Sequence, residues 1–276
     1  MRPSMLRVIS VVVLLAAAAC GDGGAGPGDV TTMPSETTTT AIPTSVTTSS
    51  LVVQPDVLPL AGRIIVLDPG HNGQNFAHPD EINRLVDIGN GTKACNTTGT
   101  QTAAGYTEAQ FTWDVAQLVR DRLEALGASV VLTRQDNEGW GPCITERAAT
   151  GNDAGADAVV SIHADGGPED GRGYHVIHPA MVPGLTDDIA ELSLQLALAL
   201  REAYAATGVP LADYTAVDGL SERSDLGGLN LSDVPAVFLE AGNMRNEDDA
   251  VLLVDPRFHQ QIADAISGAV VVFLDG

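Results

Sequence analysis

Ile64-Ile65-Val66-Leu67-Asp68-Pro69-Gly70-His71 is an apolar run that stops abruptly in a turn carrying a histidine. Short buried strands that end at Pro and Gly deliver side chains to the carboxyl edge of an α/β sheet, where open-sheet sites lie. Ala158-Val159-Val160-Ser161-Ile162-His163 repeats this design, and Ala236-Val237-Phe238-Leu239-Glu240 ends in a carboxylate instead. Three buried strands therefore finish in His, His and Glu.

Working outward, Thr107-Glu108-Ala109-Gln110 reads as a capping box, with Thr107 at the N-cap and Gln110 reaching back. The helix it opens runs to about Leu126, with Phe111, Val115, Leu118, Val119, Leu123 and Leu126 on one stripe and Gly127 ending it. Glu108 is thereby fixed in the first turn. The order continues as strand 129–133, helix 145–154, strand 157–163, strand 173–177, helix 186–207, strand 236–240 and a final helix 256–273. On the helix 186–207, Ile189, Leu192, Leu196 and Ala199 form the expected core-facing stripe. Alternation of this kind predicts an α/β fold: a single domain with a mixed, mostly parallel sheet and helices on both faces. Between the first strand and Glu108 lies a long polar segment, 72–105, and loops of that length are functional, pinned or both.

A catalytic zinc needs about three N or O ligands and an open position for water. His71, Glu108 and His163 supply that set, with His71 the first ligand. The structural alternative is a lone histidine closing a strand, and Glu81 is the rival carboxylate, although no cap or apolar stripe places it. His175 and His178 are three apart on one strand and so face opposite sides; surface or rim positions are expected for them. His78 and His259 are expected to be solvated. Asp68 either orients a ligand imidazole or accepts a bond within its own turn.

The chain's ends and charge narrow the setting. Residues 1–20 carry Arg2 and Arg7 and then an apolar stretch, Val8 to Ala19, too short to span a bilayer, which reads as an export signal. Ala17-Ala18-Ala19-Cys20-Gly21 resembles a bacterial lipobox with Ala17 in place of the usual Leu, so Cys20 is the expected lipidation site. Ordinary signal cleavage is the alternative. Residues 21–59, rich in Gly, Thr, Ser and Pro, read as a disordered tether, leaving 60–276 as the catalytic domain. The expected location is the outer face of the cytoplasmic membrane, in the wall space, with membrane contact only through the lipid. In an exported chain Cys95 and Cys143 are expected to pair, closing a loop for roughly 4 kcal/mol; a cysteine metal site would need more thiols. A net charge of −22 argues against nucleic acid as a partner. The basic residues are 13 Arg and one Lys, Lys93, a bias to which composition gives no functional weight.

Leu67-Asp68-Pro69-Gly70-His71, Thr107-Glu108, Ser161-Ile162-His163-Ala164-Asp165 and Val237-Phe238-Leu239-Glu240-Ala241-Gly242-Asn243, in that order, resemble the zinc-dependent N-acetylmuramoyl-L-alanine amidases of the amidase-3 type. The similarity covers about Arg63 to Leu274. It implies that His71, Glu108 and His163 ligate zinc and that Glu240 is the catalytic glutamate. It also implies hydrolysis of the amide joining N-acetylmuramic acid to L-alanine in peptidoglycan or muropeptides. By the same resemblance Arg223, ahead of Leu226-Gly227-Gly228-Leu229-Asn230, is placed to touch a stem-peptide carboxylate, with a plain surface arginine as the alternative. The chain departs from the family in the segment between His71 and Glu108, which is much longer than usual. A zinc peptidase of wall peptides and an inactive wall-binding lipoprotein are the competing functional readings. The expected enzyme is a monomer.

Overall fold

The computed structural model describes residues 58–276. The expected export signal, Cys20 and the tether up to residue 57 lie outside the described residues. In chain order the elements are β1 (Ile64–Pro69), a 3-10 turn (Asn75–Ala77), α1 (Pro79–Ile82), β2 (Leu85–Asp87), β3 (Thr92–Ala94), α2 (Glu108–Ala125), β4 (Ser129–Leu132) and α3 (Ile144–Ala154). Then follow β5 (Ala158–Asp165), β6 (His175–Pro179), α4 (Ala190–Ala205), β7 (Leu220–Arg223), α5 (Gly227–Asn230), β8 (Ala236–Asn243), α6 (Glu247–Leu253) and α7 (Pro256–Asp275).

Six strands form one sheet in the order β4-β1-β5-β8-β6-β7. All neighbours are parallel except β6 and β8, so the sheet is mixed and mostly parallel. The chain leaves β1 to one side for β4 and returns to the other side for β5. The carboxyl ends of β1 and β5 therefore flank a topological switch point, where a crevice opens in sheets of this type. His71 follows β1 and His163 lies near the end of β5.

The two faces are covered unequally. On one, α2, α4 and α7 bury the larger core, which includes Leu67, Phe111, Val119, Leu196, Leu239, Ile262 and Ile266. On the other, α3 and α5 cover a smaller apolar cluster that includes Val66, Val159, Ile177 and Leu229. On α4 the buried residues are Ala190, Ser193, Leu196, Ala197, Leu200 and Tyr204, whereas Leu192 of the expected stripe is exposed. The helix packs against α7 and β6, so its face is rotated by about one residue from the expected one.

Thr107 caps α2 by accepting from the Gln110 backbone N–H at 3.3 Å. The expected return bond from Gln110 does not form: its side chain donates to Asp114 and accepts from Asn137 instead. The long segment after β1 has structure of its own, including the β2–β3 hairpin, and a Cys95–Cys143 disulfide fastens its end to the start of α3. Among the described residues no helix is long and apolar enough to cross a membrane.

Candidate metal centre and catalytic cleft

His71 sits in the left-handed region at φ 61°, a conformation a non-glycine residue adopts only when its surroundings enforce it. The enforcement is visible. Arg147, buried, donates to the His71 carbonyl at 2.6 Å, to the Pro69 carbonyl at 2.8 Å and to the Asp68 carboxylate at 2.5 Å. Arg134, also buried, donates to the Pro69 carbonyl and to the carbonyl of Ala109 in the first turn of α2, tying the His71 turn to the helix that carries Glu108. Asp68 does neither of the things expected of it: its carboxylate lies at the end of β1 and accepts from Arg147, Thr133 and Ser161, none of them in its own turn. Burial alone would raise its carboxyl, but Arg147, Ser161 and Thr133 together bring it down to about 2.

Glu108 enters the site from the N-terminus of α2. Its Oε1 lies 3.0 Å from His71 Nε2 and 2.9 Å from His163 Nδ1, and its Oε2 accepts from the Thr100 N–H at 3.0 Å. The far side of His71 is fixed: Nδ1 lies 3.0 Å from the Thr97 carbonyl, so it carries the proton and leaves the Nε2 lone pair facing the cluster. His163 stacks on Phe238, with centroids 5.2 Å apart and planes at 7°. The backbone approaches closely here. A Cβ on Gly70 would run into the His163 ring, and one on Gly99 would lie 2.8 Å from Glu108 Oε2.

One ligand atom from each of His71, Glu108 and His163 lies within 4.8 Å of the others, the arrangement that can hold a metal ion. Two imidazoles and a carboxylate are the donor set of catalytic zinc sites, and tetrahedral ligands at zinc bond lengths stand roughly 3.3 Å apart. The two separations from Glu108, 2.9 and 3.0 Å, are close to that value, and the two imidazole nitrogens lie within 4.8 Å of each other. Burial opposes ionisation of Glu108, but the two histidines outweigh it and hold its carboxyl well below the usual range. His71 is raised: desolvation works against its charged form, and Glu108 overcomes it.

Glu240 pairs in register with His163 on one side and His175 on the other, so all three project from one sheet face. Burial first, then the charges of Glu108 and Asp165, push its carboxyl well above the usual range, and Arg223 pulls it back in part. Its Oε2 is buried with no partner among the described residues. A single cleft of about 400 Å³ is lined by His71, Glu108, His163, Arg223 and Glu240 together.

Other expectations fare differently. Arg223 is half-buried and held by Asp225, at 2.7 Å from Nε to Oδ1 and 2.9 Å from Nη2 to Oδ2. His175 and His178 are buried rather than at the surface, because β6 lies inside the sheet between β8 and β7. Burial lowers His175. His259 is buried too, under Leu253, whose carbonyl lies 2.7 Å from its Nε2. His78 is partly exposed, pairs with Glu81 and stacks on Trp140, so Glu81 stays outside the cluster. Sequence reasoning missed Thr97, Gly99, Thr100 and Phe238. Phe238 alone carried a signal, being two residues from Glu240 on a strand and hence on the same face.

Two imidazoles and a carboxylate converge at a sheet's switch point in a cluster that could hold a metal ion, with a second carboxylate in the same cleft, an arrangement of the kind hydrolases use. The sequence matches the N-acetylmuramoyl-L-alanine amidase family over residues 65–271. It is 43% identical over 216 residues to the N-acetylmuramoyl-L-alanine amidase Rv3717 of Mycobacterium tuberculosis, covering 78% of this chain and 88% of that one. Among solved structures, Ami1 of Mycobacterium smegmatis superposes with a TM-score of 0.74 at 45% identity, covering 78% of this chain and 98% of that one. The apo form of Ami1 from Mycobacterium abscessus gives 0.73 at 43%, covering 78% and 100%. The chain belongs to the N-acetylmuramoyl-L-alanine amidase family, and it is a hydrolase.

Proposed function

We propose that this protein hydrolyses the amide between the lactyl group of N-acetylmuramic acid and the L-alanine of peptidoglycan peptides, with zinc held by His71, Glu108 and His163. The reading rests on one observation above others: a cleft lined by those three residues and Glu240, in a chain of this family. A bound zinc ion supplies Lewis acidity, lowering the pKa of a water and polarising a carbonyl. The rest is the work of the chain. His71, its Nδ1 proton on Thr97, presents Nε2; Glu108 is held by the Thr100 N–H; His163 is braced by Phe238. Glu240 takes a proton from the attacking water and delivers it to the leaving amine, a role suited to a carboxyl whose burial favours holding that proton. Arg223 lines the same cleft, and in this reading it meets the stem peptide.

Peptidoglycan lies outside the cytoplasmic membrane, so the reading includes export by residues 1–20, lipidation at Cys20, a tether over 21–59 and a monomeric catalytic domain over 60–276. The test is mass spectrometry of a muramoyl-peptide digest, with zinc and with a chelator. Release of a peptide beginning at L-alanine, dependent on zinc, supports the amidase. Cleavage inside the peptide would replace it with a peptidase.

A further inference from the structure

Metal binding at this centre turns on one nitrogen of His71. A neutral imidazole carries its single proton on Nδ1 or on Nε2, and only the bare nitrogen can ligate a metal. Two oxygens of Thr97 lie beside Nδ1, the carbonyl at 3.0 Å and the hydroxyl Oγ1 at 3.1 Å. They are not equivalent. The hydroxyl can accept a hydrogen bond from Nδ1 or donate one to it, and so tolerates either tautomer. The carbonyl can only accept, so it favours the tautomer that leaves Nε2 bare.

That carbonyl is held from a second side. Asn75 Nδ2 donates to it at 2.8 Å, so its two lone pairs are divided between Asn75 and His71. Asn75 is fully buried and itself fixed. Its Oδ1 accepts from the Gly141 N–H at 2.8 Å, which turns its NH2 group toward Thr97. Its backbone N–H donates to the Asn72 carbonyl, and its carbonyl accepts from the His78 N–H. Thr97, by contrast, belongs to no helix or strand, so no ladder sets the direction of its carbonyl.

We propose that Asn75 is a positioning residue of the metal centre: by anchoring the Thr97 carbonyl it selects the His71 tautomer whose Nε2 can bind the metal. The inference rests on the reading of His71, Glu108 and His163 as a metal site. It gives the long segment between β1 and Glu108 a part in that site, because Asn75 and Thr97 both belong to it. Without Asn75 the Thr97 peptide unit can turn, and the hydroxyl takes over as the partner of Nδ1. Donation from Oγ1 to Nδ1 puts the imidazole proton on Nε2, where Glu108 Oε1, 3.0 Å away, accepts it in place of a metal.

Zinc affinity, read by competition with a chromophoric chelator, tests this without recourse to turnover. Asn75→Leu keeps a branched side chain and removes the donor, and it should weaken zinc by about tenfold. In a Thr97→Val background, which lacks the competing hydroxyl, the same change should weaken zinc much less; a merely structural role for Asn75 would not produce that coupling. Trp140→Ala, which removes the stack on His78 beside Gly141, should leave the affinity unchanged. Thermal melts check that the variants fold, and Asn75→Ala stands in if the leucine does not. No loss in Asn75→Leu, a loss equally large without the Thr97 hydroxyl, or an equal loss in Trp140→Ala overturns the assignment. The proton is also located directly, from imidazole nitrogen-15 shifts of metal-free Glu108→Ala protein at mildly alkaline pH, where the competing carboxylate is gone. His71 should carry it on Nδ1 and lose that preference in Asn75→Leu/Glu108→Ala. If the wild type binds no zinc, the metal reading is what has failed, and the shifts still decide the role of Asn75. A proton on Nε2, or a preference indifferent to Asn75, refutes it.

Discussion

Replacing Arg147 with methionine removes the guanidinium beneath the His71 turn while keeping most of the side-chain stem. The Asp68 carboxylate then stays buried with only the hydroxyls of Ser161 and Thr133, each at 2.6 Å, and the carbonyls of Pro69 and His71 lose their Arg147 donors. Breaking one side of a buried ion pair costs about 3–5 kcal/mol. For a folded region of this size that corresponds to a fall in Tm of roughly 6–20 °C. The pH dependence carries a second signature. The Asp68 carboxyl is depressed from 3.8 to about 2 against the pull of burial. A carboxyl depressed by folding contributes stability that is fully present above its unfolded value and lost as pH falls through its folded value. The stability gap between wild type and Arg147→Met should thus be widest above about pH 5 and narrow by roughly 2 kcal/mol toward pH 2. Urea unfolding followed by circular dichroism at pH 7, 5 and 3 measures it. A gap below about 1 kcal/mol at pH 7, or one that does not change with pH, would refute the reasoning.

Gly70→Ala places a Cβ into the His163 ring, so zinc affinity, read by competition with a chromophoric chelator, should fall by about tenfold or more while the fold survives. Glu108→Gln removes the carboxylate lying between His71 Nε2 and His163 Nδ1; the same assay should show a loss of about 100-fold, and an unchanged affinity would remove Glu108 from the ligand set. Replacing Cys95 and Cys143 together with serine opens a loop of sequence separation 48, which should cost about 4 kcal/mol in denaturant unfolding and leave the melt insensitive to reductant.

The fold was legible because its strands are short apolar runs bounded by turn residues, and because the α2 stripe and cap announce a helix. The convergence of His71, His163 and Glu240 was legible in part: His71 follows β1 and His163 pairs in register with Glu240, but β5 and β8 run on past the expected ends to Asp165 and Asn243, so these two residues lie within their strands. What the sequence hid is instructive. β7 was masked by a turn-rich setting, since Leu220–Arg223 has no alternation long enough to mark a strand. His175 and His259 looked solvated because histidine is polar, yet their burial depends on which elements cover β6 and α7, information absent from local pattern. Lys93 carried no weight as a composition statistic and takes its meaning only from the hairpin that brings it to Asp225, 132 residues away.

In the proposed division of labour His71, Glu108 and His163 hold the metal and Glu240 moves the proton. Measuring zinc content and turnover together in Glu240→Gln tests it most directly. Wild type and Glu240→Gln are both expected to hold one zinc per chain, with turnover of the variant on a muramoyl peptide reduced by about 10²–10⁴. Loss of zinc in this variant, or turnover close to that of the wild type, would contradict it.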